Sequence, residues 1–294
     1  MDIYGIVLVF LSAVCHASWN ILSKGSPRPM AFLYKALKYS AICYLPLFIL
    51  IQFYISRPLP YVLCILGSGI FTGGYFFCLG MAYIHGHLSV AYPLARALPI
   101  LMIAGVGMAF HEFPSTRGLS GMILISAGCL LLPLKRWRGD DGFSFDHYFN
   151  KACLWAVLSA VFTAGYSMVD KFGAGYAPNG SGLENILGKI NYVYLQNLIS
   201  FIILGAVIRY MKIETDNTSF KKQAVISGII FLISYSLIML ALVSNPVAYV
   251  VSFRQFSIVI GAAASMLFLE KEFYLIRLLA VGVIFAGVVL VGLG

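Results

Sequence analysis

The sequence predicts an all-α integral membrane protein with ten transmembrane helices, arranged as two inverted five-helix repeats around a central cavity. Three observations predict it: the composition, ten long apolar stretches and an internal repeat. Hydrophobic residues make up 61% of the 294 residues and charged residues only 11%, whereas soluble domains carry about 25% charged residues. Because one chain cannot bury so much apolar surface within itself, lipid must solvate part of it.

The first half of the chain contains five apolar stretches. They fall at residues 3–22, 30–53, 61–84, 88–110 and 119–134. Most approach or exceed the length of about 17–25 residues that a helix needs to cross a bilayer. The first stretch lacks a preceding basic segment and its sequence recurs in mid-chain, so we expect a retained helix and not a cleaved signal peptide.

The second half repeats this plan. Its apolar stretches fall at residues 152–170, 190–208, 224–242, 247–269 and 274–292. Between the halves lies the polar sequence KRWRGDDGFSFDHYFNK, which is typical of a loop. We therefore divide the chain into a first repeat (1–134), a linker (135–151) and a second repeat (152–294).

Two short sequences carry the internal repeat most clearly. Residues 11–24 read LSAVCHASWNILSK and residues 158–171 read LSAVFTAGYSMVDK. The fourth and ninth predicted helices also align, through the pairs Arg96/Arg254, Ile100/Ile258, Ala104/Ala262, Met108/Met266 and Glu112/Glu270. Because each half has an odd number of helices, the second half crosses the membrane in the opposite sense. Inverted repeats of this kind are common in secondary transporters.

The basic residues predict how the chain is oriented. The net charge is +9, and most basic residues of the loops and helix ends lie on the side opposite the N-terminus. Since cytoplasmic loops are rich in Lys and Arg, both termini are expected on the non-cytoplasmic side of a cell (inner or plasma) membrane. No solvated basic stripe is present, so a nucleic-acid partner is not expected.

Three sequence runs resemble a known family. They are HASWNILSK at 16–24, AYPLARALPIL at 91–101, and the pattern over 254–290 that includes Glu270. Together with the ten predicted helices, they resemble the EamA-like branch of the drug/metabolite transporter superfamily. The resemblance implies ten helices around a central cavity and transport by alternating access. Members are linked to amino acids, nucleobases, sugars, phosphorylated metabolites and drugs, and a HASWN-type first helix is similar to members associated with phosphonate use.

Two arginines lie near the middle of predicted helices. Arg96 and Arg254 are related by the repeat, and a central Arg costs about 2.5–3.5 kcal/mol on insertion scales. A guanidinium group binds carboxylate, phosphate or phosphonate through parallel hydrogen bonds. We therefore predict that both arginines bind substrate; the alternative is that each pairs with helix-end carbonyls or a neighbouring acid.

Other polar residues within the predicted helices are further candidates. Lys35 and Lys38 share one helix face, and either line the cavity or extend their amines to the interface. His16 is the intramembrane group that can titrate near neutral pH, and Asn20 follows it by one helical turn. The alternative for His16 is a hydrogen-bonded packing residue.

Two tyrosines and the acidic residues complete the prediction. Tyr92 and Tyr249 each follow a Val-Ala pair shortly before an arginine, so both are candidate cavity residues. All acidic residues, including Asp170, are assigned to loops or helix ends. No carboxylate is then expected in the membrane centre, which argues against a proton-coupled exporter of cationic drugs.

Small residues predict close helix contacts. Gly69 and Gly73 are four residues apart, and residues 261–265 read GAAAS. Both follow the small-xxx-small spacing that lets helix backbones approach each other.

The predicted function is secondary-active transport of a small anionic or zwitterionic organic metabolite, including one that bears phosphate or phosphonate. The alternatives are a flippase for a lipid-linked carrier and an exporter of amino acids or drugs. An enzyme is not expected, because no metal-ligand cluster, P-loop or nucleophile–base motif is present in the sequence. Neither a cofactor nor a metal is expected. The expected partners are a small-molecule substrate and membrane lipid; coupling to a proton or counter-substrate, and monomer against homodimer, stay open.

Overall fold

The computed structural model describes residues 1–23, 26, 28–85, 88–132, 134, 150–177, 182–215, 220–268 and 275–294. The side chains of 88–93 and 265–268 lie outside this description. The described residues form helices and no strand. The helices are α1 (Ile3–Ser23), α2 (Pro29–Ile51), α3 (Leu59–His85), α4 (Leu88–Ala109), α5 (Thr116–Leu131), α6 (Lys151–Tyr176), α7 (Leu183–Tyr210), α8 (Lys221–Leu242), α9 (Val247–Arg254), α10 (Phe256–Phe268) and α11 (Leu275–Leu293).

Within the part of the chain that the structure describes, eight helical segments are long and apolar enough to cross a membrane. They are α1, α2, α3, α6, α7, α8, α11 and the segment Val247–Ala264, which joins α9 to part of α10. Two shorter apolar helical segments, Leu94–Ala109 and Thr116–Leu131, belong to α4 and α5. Large apolar side chains such as Ile42, Ile70 and Ile202 are exposed on the outside of the bundle. The protein is therefore a multi-pass helical membrane protein whose outer surface suits lipid.

The helices pack in a few extensive pairs. Helix α3 packs against α6 and α7, α8 packs against α1 and α2, and α5 packs against α11. The contact between α3 and α7 uses Gly69 and Gly73, where an added Cβ would lie 2.7 Å from Ile199 and 2.9 Å from Ile203. The predicted close contact at these two glycines is confirmed. At Gly261, by contrast, a Cβ would meet no described atom within 4 Å, so the described residues do not form the predicted contact there.

Helices α5 and α11 approach each other through glycines on both sides. A Cβ on Gly121 would lie 2.6 Å from the Gly287 carbonyl oxygen, and a Cβ on Gly287 would lie 2.7 Å from the Gly121 carbonyl oxygen. About two helical turns further along α5, a Cβ on Gly128 would lie 3.0 Å from the Ala280 carbonyl oxygen. Because the opposing atoms are backbone, neither helix has room for a side chain at these positions.

The ninth apolar stretch is not one continuous helix. It divides at Gln255, whose backbone N–H donates a hydrogen bond of 3.1 Å to the Ser252 carbonyl and so closes a tight turn. Arg254 is therefore the last residue of α9. The sequence predicted a single helix over 247–269. Its apolar composition does not reveal the break, because the residues on both sides of Gln255 are equally suited to the membrane.

Two further boundaries differ from the sequence prediction. Helix α6 continues to Tyr176 and α7 begins at Leu183, so Asp170 and Lys189 lie inside helices and are fully buried. The assignment of Asp170 to a helix end was therefore wrong. Side chains of neighbouring helices donate hydrogen bonds to its carboxylate, so a polar residue that the sequence pattern assigns to a loop lies inside a helix. Most of the predicted linker (135–149) lies outside the described residues, and Lys151 is the first residue of α6.

Candidate functional site

A cavity lies inside the bundle between α1, α3, α6, α7, α8 and α9. Aromatic side chains form most of its walls, and polar side chains project between them. The lining residues are His16, Trp19, Thr72, Tyr75, Phe76, Tyr166, Gln196, Asn197, Phe231, Ser234, Tyr235 and Arg254. An apolar wall with a few convergent polar groups is the usual form of a small-molecule site.

A second, smaller cavity adjoins the first and shares Tyr75, Tyr166 and Arg254 with it. Its lining adds Arg96 from α4 and the repeat counterparts of His16 and Asn20, namely Thr163 and Ser167. Both predicted arginines therefore line one cavity. Arg96 is 6% exposed and Arg254 is 8% exposed, so both guanidinium groups are held within the bundle.

The break between α9 and α10 positions Arg254. Its guanidinium carbon lies 5.8 Å from the centroid of the Tyr235 ring, within range of a cation–π interaction. The Nε atom of Arg254 is buried and has no hydrogen-bond partner among the described residues. The same is true of Asn197 Nδ2 and of Gln255 Oε1, so this region presents two unused donors and one unused acceptor to a bound molecule.

His16 receives donors at both ring nitrogens. Trp19 Nε1 lies 3.2 Å from Nδ1, and a guanidinium nitrogen of Arg96 contacts Nε2. Indole and guanidinium groups only donate, and a neutral imidazole has a single acceptor nitrogen. His16 can therefore accept from Trp19 or from Arg96, but not from both.

A buried carboxylate lies behind the cavity wall. Asp170 on α6 is 0% exposed; its Oδ1 accepts from Tyr192 Oη at 2.8 Å, and its Oδ2 accepts from Gln196 Nε2 at 3.2 Å and from the hydroxyl of Tyr235. Gln196 and Tyr235 line the first cavity, whereas Asp170 is not among the lining residues of either cavity. The carboxylate is thus linked to the cavity through two side chains.

Asn20, Lys35 and Lys38 are not among the residues that line the two cavities. Asn20 is half-buried and its amide donates to the carbonyl of His16 at 2.7 Å. Lys35 is half-buried and Lys38 is exposed on α2. The side chain of Tyr92 lies outside the described residues.

Tyr249 stabilises a helix end and lies outside both cavity linings. Its hydroxyl accepts from the backbone N–H of Ser115 at 2.8 Å and donates to the Ser115 hydroxyl at 3.2 Å. Ser115 is the N-cap of α5, where its side chain accepts from Gly118 N–H at 3.0 Å. Tyr249 therefore anchors α9 to the beginning of α5.

Sequence reasoning missed several cavity residues. Phe76 and Phe231 lie in apolar stretches like any membrane-facing residue, although Phe231 packs edge-on against Trp19 with centroids 4.7 Å apart. Thr72 and Ser234 are small polar residues without a distinguishing pattern. Asp170 had no such signal either: its repeat counterpart is Ser23, the last residue of α1, so the repeat also assigned Asp170 to a helix end.

These features define the class of protein: a multi-pass helical membrane protein with a buried cavity lined by arginine and aromatic side chains. No protein-family model matches the chain, and no curated protein matches it. One similar solved structure, described only as "Crystal structure of protein", has a TM-score of 0.74 and 15% sequence identity, and the match covers 100% of this chain and 98% of that one. This similarity shows the fold alone.

Proposed function

We propose that the protein is a secondary transporter that moves a small anionic or zwitterionic organic metabolite across the cell membrane by alternating access. The observation that carries the proposal is that two buried arginines, Arg96 and Arg254, line one cavity. A fixed positive charge in the membrane requires compensation, and a carboxylate, phosphate or phosphonate group supplies it with matched geometry.

The helix packing supports the inverted repeat on which alternating access depends. Exchanging the two halves converts the pairing of α1 with α8 into that of α6 with α3, and the pairing of α2 with α8 into that of α7 with α3. All four pairings are extensive. The same exchange converts the contact of Gly128 with Ala280 into that of Gly287 with Gly121. These relations favour two five-helix repeats. Membership of the EamA-like branch of the drug/metabolite transporter superfamily is proposed on the resemblance of the three sequence runs alone.

The free polar atoms favour a substrate with both charge signs or with additional donors. Arg254 Nε and Asn197 Nδ2 offer donors to an anionic group, and Gln255 Oε1 offers an acceptor to an ammonium or hydroxyl group. The aromatic walls formed by Tyr75 and Tyr166 provide apolar surface for the body of the molecule. We propose transport as the activity of this site.

The proposal is tested first by ligand protection of the purified protein. Thermal unfolding is measured with methylphosphonate, inorganic phosphate, succinate and alanine, each against sodium chloride at equal ionic strength. We expect at least one anion to raise the melting temperature. Arg96→Ala and Arg254→Ala should each lower the affinity for that ligand about tenfold or more, because a hydrogen bond to a charged group contributes about 1.5–3 kcal/mol.

Arg57→Ala is the matched control, because Arg57 is exposed outside the bundle. It should leave the ligand's affinity unchanged. Uptake of the protecting compound by proteoliposomes then tests transport itself. Protection by no anion, or equal protection of the wild type and both cavity variants, would overturn the arginine site.

A further inference from the structure

The hydrogen-bonded carboxylate of Asp170 is the strongest feature that the proposed function leaves unused. It lies inside α6, is fully buried and accepts hydrogen bonds from Tyr192 and Gln196 on α7 and from Tyr235 on α8. Ser68 on α3 is a fourth hydrogen-bonding partner. A carboxylate within a membrane segment is costly and generally functional.

The partners of Asp170 suit a proton better than a metal ion. All four present N–H or O–H donors to the carboxylate, so its lone pairs face hydrogen atoms and not an open coordination sphere. The two tyrosine hydroxyls can also accept a hydrogen bond. When Asp170 gains a proton, a tyrosine hydroxyl can turn and accept a hydrogen bond from the protonated carboxyl group, without any movement of the helices.

Two of these partners connect Asp170 to the cavity. The Tyr235 ring lines the cavity on one side and lies 5.8 Å from the guanidinium carbon of Arg254, while its hydroxyl donates to Asp170. Gln196 also lines the cavity, and its amide nitrogen lies 3.0 Å from Thr72 Oγ1 and 2.5 Å from Ser68 Oγ. A change in the protonation of Asp170 can therefore reach Arg254 through a single side chain, that of Tyr235.

Titratable or charged residues lie on α6 and on the helices around it. Tyr166 and Lys171 belong to α6 itself, and Lys189 lies one turn before Tyr192. On the neighbouring helices, Cys64 on α3, Tyr192 on α7 and Tyr235 on α8 interact with the carboxylate, and Arg254 on α9 lies against the Tyr235 ring. Arg96 is the charged residue of α4, which packs on α6. Of these, Tyr192 and Tyr235 donate directly to the carboxylate.

We propose that Asp170 is a proton-binding site coupled, through Tyr235, to anion binding at Arg254. The inference rests on the proposed function. An ionised Asp170 offsets part of the positive field of Arg254 and competes with a bound anion; a proton on Asp170 removes that competition. Anion and proton therefore bind cooperatively, and by linkage each raises the affinity for the other to the same extent. The proton is taken up from the side to which the cavity opens and is released with the anion on the other side, which is symport.

Infrared difference spectroscopy of the full chain in liposomes tests the proton site directly. The C=O stretch of a protonated carboxyl group is followed as the pH is lowered, with and without methanesulfonate. This tetrahedral anion keeps its charge throughout the titration. The wild type should develop a carboxyl band that grows further when methanesulfonate is added. Asp170→Asn should lack that band.

Tyr235→Phe separates the proton site from its coupling, because it keeps the ring beside Arg254 and removes the hydroxyl. It should retain a carboxyl band that no longer responds to methanesulfonate. Tyr249→Phe, which removes a hydroxyl outside the cavity, should behave as the wild type. The melting temperature of each variant establishes that it is folded.

The outcomes distinguish the two proposals. A band that persists in Asp170→Asn would overturn the proton site while leaving the arginine site intact. A wild-type band that ignores methanesulfonate, although the anion raises the melting temperature, would overturn the coupling. A folded wild-type protein whose band disappears in Asp170→Asn, but which methanesulfonate does not protect, would retain the proton site and overturn both the coupling and the arginine site for this anion.

Discussion

At the scale of single residues, burial alone does not reveal the role of a tyrosine. Tyr235 and Tyr249 lie on neighbouring helices and both use their hydroxyl groups. The hydroxyl of Tyr235 donates to a carboxylate and its ring lines the cavity, whereas the hydroxyl of Tyr249 bonds to the N-cap residue of α5. The sequence pattern before Arg254 selected Tyr249, but the hydrogen bonds assign it to helix anchoring.

Removing the hydroxyl of Tyr249 is therefore expected to affect stability and not ligand binding. Tyr249→Phe should lower the free energy of unfolding by about 0.5–1.5 kcal/mol, the usual contribution of one hydrogen bond. Ligand affinity, measured by thermal shift in the same preparation, should match the wild type. A loss of affinity comparable to that of Arg254→Ala would instead place Tyr249 at the substrate site.

At the scale of helices, backbone contact decides which pairs are held rigidly together. The crossing of α5 and α11 is built from Gly121 and Gly287, each facing the other's carbonyl oxygen. Such contacts gain dispersion energy in a lipid environment, where no hydrophobic effect drives helices together. The break at Gln255 has the opposite effect, because it ends α9 at Arg254 and separates that residue from α10.

The α5–α11 contact predicts that alanine destabilises the protein at Gly121, within the contact, and not at Gly105, outside it. Gly121→Ala should reduce the free energy of unfolding by about 1–3 kcal/mol, the usual cost of overpacking, because the new methyl group would meet backbone at 2.6 Å. Gly105→Ala on α4 is the control, since a Cβ there meets no described atom within 4 Å. Thermal unfolding in detergent compares them; equal melting temperatures would contradict the packing.

At the scale of the whole molecule, the distribution of basic residues predicts the orientation in the membrane. The positive-inside rule assigns the more basic side to the cytoplasm, and an even number of spans puts both termini on the same side. We therefore expect both termini outside the cytoplasm.

Fusions at the C-terminus measure this orientation. Alkaline phosphatase, which is active only outside the cytoplasm, should be active, and green fluorescent protein exported by the general secretory route should remain dark. Fusions at the loop between α1 and α2 should give the reverse pattern. A fluorescent C-terminal fusion would contradict the predicted orientation.

Much of the fold was predictable because the bilayer imposes a simple requirement. A spanning segment must be a long apolar helix that satisfies its own backbone, so the apolar stretches located most helices within a few residues. The energetic cost of a buried charge selected Arg96 and Arg254, and both line one cavity. The same reasoning misplaced Asp170, because a polar residue near the end of an apolar stretch resembles the beginning of a loop.

The sequence by itself determined that the protein lies in a lipid bilayer, where its apolar helices fall, and that Arg96 and Arg254 lie within them. These properties follow from the transfer energies of individual segments. Only the tertiary structure decided which polar side chains meet: His16 with Arg96, Tyr235 with Asp170 and Tyr249 with Ser115. The physical reason is that lipid-facing and core-facing positions are both apolar. Hydropathy therefore does not record the rotation of each helix about its axis, and packing against neighbouring helices sets it.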